Sequence, residues 1–152
     1  MKARLHLNEI ERDPNLVWNT YIDILSRELG ELDPEQRPAA LVFQYESEVQ
    51  NGGHLQYFEN SKASQLDETV AALDRIGASC HSAILRKAGD LFLSRSREPL
   101  ASAEEHVEAA LEGEFSELDQ RFHGCPTTLI DCLQRSLDRD QSIFIEIADR
   151  PI

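Results

Sequence analysis

Apolar residues recur at helical spacing through most of this chain, in segments separated by proline, glycine and asparagine. Asp13-Pro14 is typical of an N-cap followed by a first-turn proline, and the apolar positions after it predict a helix that ends at Gly30. Asp33-Pro34 begins a second segment, whose main run extends from Pro38 to Asn51-Gly52. The apolar positions of these two helices are Leu16, Val17, Tyr21, Ile24, Leu25, Leu29, Leu41, Val42, Tyr45 and Val49.

The remainder of the chain has the same periodicity, except for Ser142–Ile147, which fits either a strand or a docked helix. Further helices are predicted from Ser64 to Gly77, from Ser79 to Phe92, from Ser102 onward, from Phe115 to Phe122, and from Pro126. There is no β-α-β alternation, so the sequence predicts an all-α fold, a compact single-domain bundle of about six to eight short helices over residues 1–152. Residues 1–12 are expected to be flexible or loosely docked, and residues 140–152 to form a C-terminal tail.

A Gly-Gly pair interrupts the helical pattern in the middle of the second segment. Asn and Gly enter left-handed backbone conformations at low cost, so Asn51-Gly52 can end one helix and Gly53 can start the next at a sharp angle. The short helix that follows is expected to place Tyr57 and Phe58 in the core, with its amides, Gln56 and Asn60, bonding the free backbone groups of the turn. No Lys-Ser or Lys-Thr follows the glycines, so the pattern is not that of a phosphate-binding loop.

The same stretch carries a motif that extends beyond the two glycines. Its positions are Glu48, Asn51, Gly52, Gly53, Gln56, Tyr57, Phe58, Asn60 and Ser61, followed by Ala72, Leu73, Ile76, Gly77 and Ala78. On these residues the chain resembles a bacterial family of small acidic helical proteins, catalogued as a domain of unknown function, whose best-known member is a DNA mimic. The likeness extends more weakly over residues 14–140. His54 stands where the family is expected to have an aromatic residue.

This resemblance implies a type of partner and an oligomeric state. Within the family, the DNA mimic is a dimer that occupies the DNA-binding surface of a helix-turn-helix regulator with its own carboxylates. By resemblance, the expected partner is therefore a basic protein surface, and a homodimer is expected as well.

The charge of the chain points in the same direction. Its 28 acidic and 15 basic residues give a formal net charge of −13. Affinity for a phosphate backbone comes from Lys and Arg, so direct binding to nucleic acid is disfavoured. A strongly acidic chain instead favours partners with basic surfaces.

The acids are most concentrated between Ala101 and Gln120, where no Lys or Arg occurs. The predicted partner-binding residues are the seven acids of this run, namely Glu104, Glu105, Glu108, Glu112, Glu114, Glu117 and Asp119. On a helix, the first four of them fall within an arc of about 100°. Like charges four residues apart repel by roughly 0.2 to 0.5 kcal/mol, a cost that interleaved lysines would remove. A solvated helix face would carry the same residues, so the sequence leaves both interpretations open.

The sequence contains no recognisable catalytic, metal or cofactor site. His6, His54, His81, His106 and His123 lack the spacing that places two ligands on one helical face, and no cofactor is predicted. Its three cysteines form no Cys-x-x-Cys pair, no signal peptide begins the chain, and no window is apolar enough for a membrane span, so a reducing cytoplasm is expected.

Three functional hypotheses follow from the sequence and the resemblance. The leading one is a non-enzymatic acidic binding module, a DNA mimic that occupies the nucleic-acid-binding surface of a regulator. The alternative is an immunity or inhibitor protein that neutralises a basic nuclease toxin. The third is a small enzyme centred on the Asn51-Gly52-Gly53 corner, with His54 as acid or base.

Overall fold

The fold was obtained as a computed structural model that describes residues 1–61, 63–96 and 104–149; for residues 95–96, 104–112 and 114 it describes the backbone. Within these ranges there are seven α-helices, one short 3₁₀ helix and two short strands. The elements are β1 (Ala3–Leu5), α1 (Leu7–Arg12), α2 (Leu16–Leu25), the 3₁₀ helix (Leu29–Glu31), α3 (Arg37–Ser61), α4 (Leu66–Arg75), α5 (Ser79–Ser96), α6 (Glu104–His123), α7 (Leu129–Phe144) and β2 (Ile145–Ile147). The predicted all-α fold is confirmed.

Helix α3 lies at the centre of the bundle. It packs against α2, α4, α6 and α7, while α5 packs against α4 and α6. The shared core consists of aliphatic and aromatic side chains, including Tyr21, Tyr45, Phe58, Phe115, Leu41, Leu73, Leu85, Leu129 and Leu133. None of the helices in the described ranges is long and apolar enough to cross a membrane.

The start of α7 and the end of α2 differ from the positions that the sequence predicts. Helix α7 begins at Leu129 rather than Pro126, because the Thr128 hydroxyl accepts a hydrogen bond from the backbone N–H of Asp131 at 3.1 Å and caps the helix there. Helix α2 ends at Leu25 rather than at Gly30, and after a turn the 3₁₀ helix follows at Leu29–Glu31.

Helix α6 is continuous over Glu104–His123, where the sequence predicts two separate helices. Gly113 lies between the two predicted segments, and a side chain at this position would meet no atom within 4 Å. A glycine inside a helix costs only about 1 kcal/mol relative to alanine, and burial of Phe115 and Leu118 on the same helix offsets this cost. The predicted start at Ser102 lies outside the described residues.

A two-stranded parallel sheet joins the ends of the chain. β1 pairs with β2, so that Ala3 is opposite Ile145. Just beyond the strands, the backbone N–H of Leu7 donates to Oδ1 of Asp149 at 2.8 Å. The segment that fits either a strand or a helix in the sequence is thus helical through Phe144 and extended afterwards.

A buried glutamine also holds the N-terminus, which the sequence predicts to be flexible or loosely docked. Gln36 has no exposed surface, and its Nε2 donates to the carbonyl oxygens of Met1 at 2.8 Å and Ile143 at 3.0 Å. One side chain at the start of α3 therefore satisfies backbone groups from both ends of the chain, and it docks the first residues. Residues 150–152 of the predicted tail lie outside the described residues.

A disulfide joins the start of α5 to the turn after α6. Cys80 and Cys125 are bonded, with their Cα atoms 6.0 Å apart, and Cys132 is free and buried. The two cysteines are separated by 45 positions in the sequence, so no local motif predicts that they pair. Disulfides are rare in a reducing cytoplasm, so this bond does not follow from the compartment expected from the sequence.

We expect removal of this disulfide to destabilise the fold without changing it. Closing a loop of this length in the unfolded chain contributes about 2 to 4 kcal/mol, so the Cys80→Ser/Cys125→Ser variant should lose that much in free energy of unfolding. Urea denaturation with and without dithiothreitol measures the loss. Reductant should destabilise the wild-type protein and leave the double variant unchanged. Equal stability of the two proteins under oxidising conditions would contradict the disulfide.

The core contains a histidine with no charged partner among the residues that the structure describes. His81 on α5 is 2% exposed, and its ring packs edge-on against Phe122 with 5.0 Å between the ring centroids. Burial disfavours the charged imidazole and lowers the pKa of His81 from 6.5 to about 4.

This lowered pKa makes stability sensitive to mild acid. Below pH 6.5 the unfolded chain takes up a proton that the folded chain resists, so the contribution of His81 is complete above pH 6.5 and decreases as the pH falls toward 4. The expected loss over this range is roughly 3 kcal/mol. Urea denaturation of His81→Leu should show a flatter pH dependence than that of the wild-type protein. An unchanged slope in His81→Leu would refute this assignment.

Candidate functional site

The structure places a break in α3 at the two glycines. Gly52 has φ −153° and ψ 20°, and Gly53 has φ 72° and ψ −174°. The positive φ of Gly53 is strained for any other residue, and a Cβ there would lie 2.4 Å from Oδ2 of Asp119. Glycine is therefore needed at position 53 both for the backbone conformation and for the close approach of α6.

A cluster of side chains connects the two halves of α3 across this break. The amides of Gln56 and Asn60 both donate to Oε2 of Glu48, at 2.8 Å and 2.7 Å, and Asn51 Nδ2 donates to Gln56 Oε1 at 3.2 Å. The sequence predicts that Gln56 and Asn60 bond backbone groups of the turn. They bond Glu48 instead, because the bend turns positions 56 and 60, one helical turn apart, toward it.

His54 lies directly behind the break, with no exposed surface. Its Nδ1 is 2.6 Å from Oδ1 of Asp119, and its Nε2 is 2.6 Å from the hydroxyl of Tyr45. An ionised carboxylate only accepts hydrogen bonds, so Nδ1–H donates to Asp119, and in the neutral ring Nε2 accepts from Tyr45. A buried imidazole that is bonded at both nitrogens has no position for a substrate. The geometry of this corner therefore gives no support to an acid or base role for His54.

Asp119 connects the corner to α6. Besides the ring of His54, its Oδ1 accepts the backbone N–H of that residue at 2.9 Å. Burial raises the pKa of Asp119, but the hydrogen bonds from His54 outweigh this effect, and the net shift is downward. The sequence predicts Asp119 to be one of the partner-binding acids. In the structure its carboxylate is 30% exposed and is committed to an internal contact.

The spacing of buried residues around Asp119 in the sequence predicts that this residue faces inward. Asp119 comes four residues after Phe115 and three before Phe122, both of which are buried. Residues at these spacings share one face of a helix, so Asp119 belongs to the packed side of α6. Tyr45 differs from Asp119 in this respect. The sequence places it in the apolar stripe of α3, and in the structure its buried hydroxyl bonds His54.

The remaining predicted partner-binding residues also lie on α6. Glu117 is exposed and pairs with Arg121, one turn later on the same helix, at 3.0 Å. Such exposed pairs contribute little to stability, so Glu117 can exchange Arg121 for another cation at small cost. The other five positions are on the helical backbone, but their side chains lie outside the described residues, namely Glu104, Glu105, Glu108, Glu112 and Glu114.

A cavity of about 580 Å³ lies on the Glu48 side of the corner. It is bounded by the end of α2, the 3₁₀ helix, both halves of α3 and the beginning of α4, and it does not reach His54. Within the described part of the chain, no three His, Cys, Asp or Glu side chains gather in a way that could hold a metal ion.

The sequence of this chain matches the model of one known protein family. The family model for DMP19-like proteins matches residues 30–139. The chain belongs to the DMP19-like family. This is the family of the DNA mimic protein, in agreement with the resemblance seen in the motif. The matched range contains the glycine corner and all of α6. No curated protein matches this DMP19-like chain, and no solved structure does.

Proposed function

We propose that this DMP19-like protein is a non-enzymatic acidic binding module that occupies the basic nucleic-acid-binding surface of a DNA-binding regulator. Three observations support the proposal. The family is that of a DNA mimic, the chain has a net charge of −13, and its densest run of acids lies on one helix.

The continuity of α6 is the observation that carries the proposal. The sequence alone allowed the acids to be divided between two helices, whereas the structure places all of them on one element of 20 residues. Positions 104, 108 and 112 are successive turns of this helix, about 6 Å apart along its axis. Successive phosphates on one DNA strand are about 3.4 Å apart along the axis, so these positions recur at roughly the interval of every second phosphate.

The described residues also narrow the proposed surface. The carboxylate of Asp119 is bonded to His54 inside the fold, so we exclude Asp119 from the contact set. Glu117 remains in the set because its carboxylate is 70% exposed. The proposed surface, called here the acidic face, consists of Glu104, Glu105, Glu108, Glu112, Glu114 and Glu117. The first four fall within one arc of about 100°, and Glu117 lies on the other side of the helix.

A partner held by the acidic face should behave like a protein that binds DNA. Complementary charge accelerates the encounter and makes the affinity depend on ionic strength. Because the acidic face and DNA contact the same basic residues, the two ligands exclude each other.

The test is affinity capture from an extract of the source cells with the immobilised protein, followed by identification of the bound proteins. We expect a DNA-binding regulator that elutes as salt rises and that duplex DNA displaces. Substituting Gln for Glu at positions 104, 105, 108 and 112 should abolish capture. A matched control variant removes the same amount of charge from exposed acids elsewhere and should still capture the partner. These acids are Glu11, Glu31, Glu35 and Glu59.

Two outcomes would redirect or refute the proposal. Capture of a basic nuclease in place of a regulator would favour the immunity hypothesis. A partner that neither salt nor DNA displaces, or that binds both variants equally, would refute the role of the acidic face.

A further inference from the structure

The cavity beside the glycine corner contains features of a ligand site that the acidic face does not account for. Its volume of about 580 Å³ is within the range of pockets that hold small molecules. The bend of α3 creates it, since one wall comes from Gln44 and Glu48 before the break and another from Tyr57 and Asn60 after it. Without the bend the two walls would continue along a single rod and enclose nothing.

One wall of the cavity carries an oriented carboxylate. Both amide donors of Glu48, Gln56 and Asn60, bond the same oxygen, Oε2, and both are neutral. Among the described residues, no Lys or Arg pairs with Glu48, and Oε1 accepts no hydrogen bond. The side chain is half-buried, so its negative charge is fixed in place, partly shielded from water and not neutralised.

The rest of the lining fits a cation on an aliphatic stem. The one described basic residue of the lining, Arg27, follows α2 and pairs with Asp23 of that helix at 3.5 Å. Leu41 and Phe43 supply apolar surface, and the half-exposed Phe43 ring has no aromatic partner among the described residues. An aromatic face attracts a guanidinium or ammonium ion, and its surroundings accept methylene groups. Hydroxyl and amide groups, including Ser47 and Gln44, complete the lining.

We propose that this cavity binds a guanidinium or ammonium group on an aliphatic stem, with Glu48 as its anionic partner. The ligand chemistry has two sources, a free small cation or the basic side chain of a bound protein. This site is separate from the acidic face and does not depend on DNA mimicry.

The experiment is an NMR titration of the ¹⁵N-labelled protein with two probes. Agmatine represents a free guanidinium compound, and a terminally blocked Gly-Arg-Gly peptide represents a protein side chain. We expect saturable shifts of the backbone amides of Ser47, Asn60 and Ser61 with at least one probe. The probe that binds with the higher affinity identifies whether the cationic group comes from a free small molecule or from a protein side chain. A blocked Gly-citrulline-Gly peptide, which keeps the shape but lacks the charge, should bind more than about tenfold more weakly than the arginine peptide.

Two variants test the role of Glu48. Glu48→Gln should weaken binding more than about tenfold, since it removes the charge and retains the shape. Glu59→Gln changes an exposed acid one position before Asn60 that does not line the cavity, and it should bind as wild type does. If Glu48→Gln fails to fold, the comparison of arginine and citrulline peptides on the wild-type protein still shows whether binding depends on the charge of the ligand. Absence of saturable shifts with both probes, or equal binding of the charged and neutral peptides, would overturn the proposal.

Discussion

The carboxylate of Asp119 accepts two hydrogen bonds from His54, and the rest of this fold is organised around that contact. His54 follows the break in α3, whereas Asp119 lies 65 positions later on α6. The contact therefore fixes the bend and the packing of the acidic helix together. Polar groups in a low-dielectric interior are costly when unpaired and strongly bound when paired, so such a network has one satisfied arrangement. Tyr45 completes it by bonding the second ring nitrogen of His54.

The glycine corner produces two surfaces with different chemistry. On one side it receives α6, because a residue without a side chain at Gly53 lets Asp119 approach the backbone. On the other side it brings Glu48 against Gln56 and opens a cavity between the halves of α3. One side therefore carries the α6 helix with its run of acids, and the other carries the Glu48 carboxylate oriented by Gln56 and Asn60.

Local patterns predicted the helices and the corner, because helical spacing and glycine conformation act over a few residues. The same patterns could not give contacts between distant positions. They assigned Asp119 to the surface, although its spacing from Phe115 and Phe122 marks the buried side of α6. They also gave no sign that Cys80 bonds Cys125, since that pairing depends on how α5 and α6 pack.

A double-mutant cycle on His54 and Asp119 tests most directly whether this contact organises the fold. His54→Phe retains an aromatic ring and the backbone N–H bond but removes the ring hydrogen bonds, and Asp119→Ala removes the carboxylate. Free energies of unfolding are measured by urea denaturation for the wild-type protein, both single variants and the double variant. We predict a coupling energy of at least about 1 kcal/mol between the two positions. Additive effects, with a coupling below about 0.5 kcal/mol, would contradict the account.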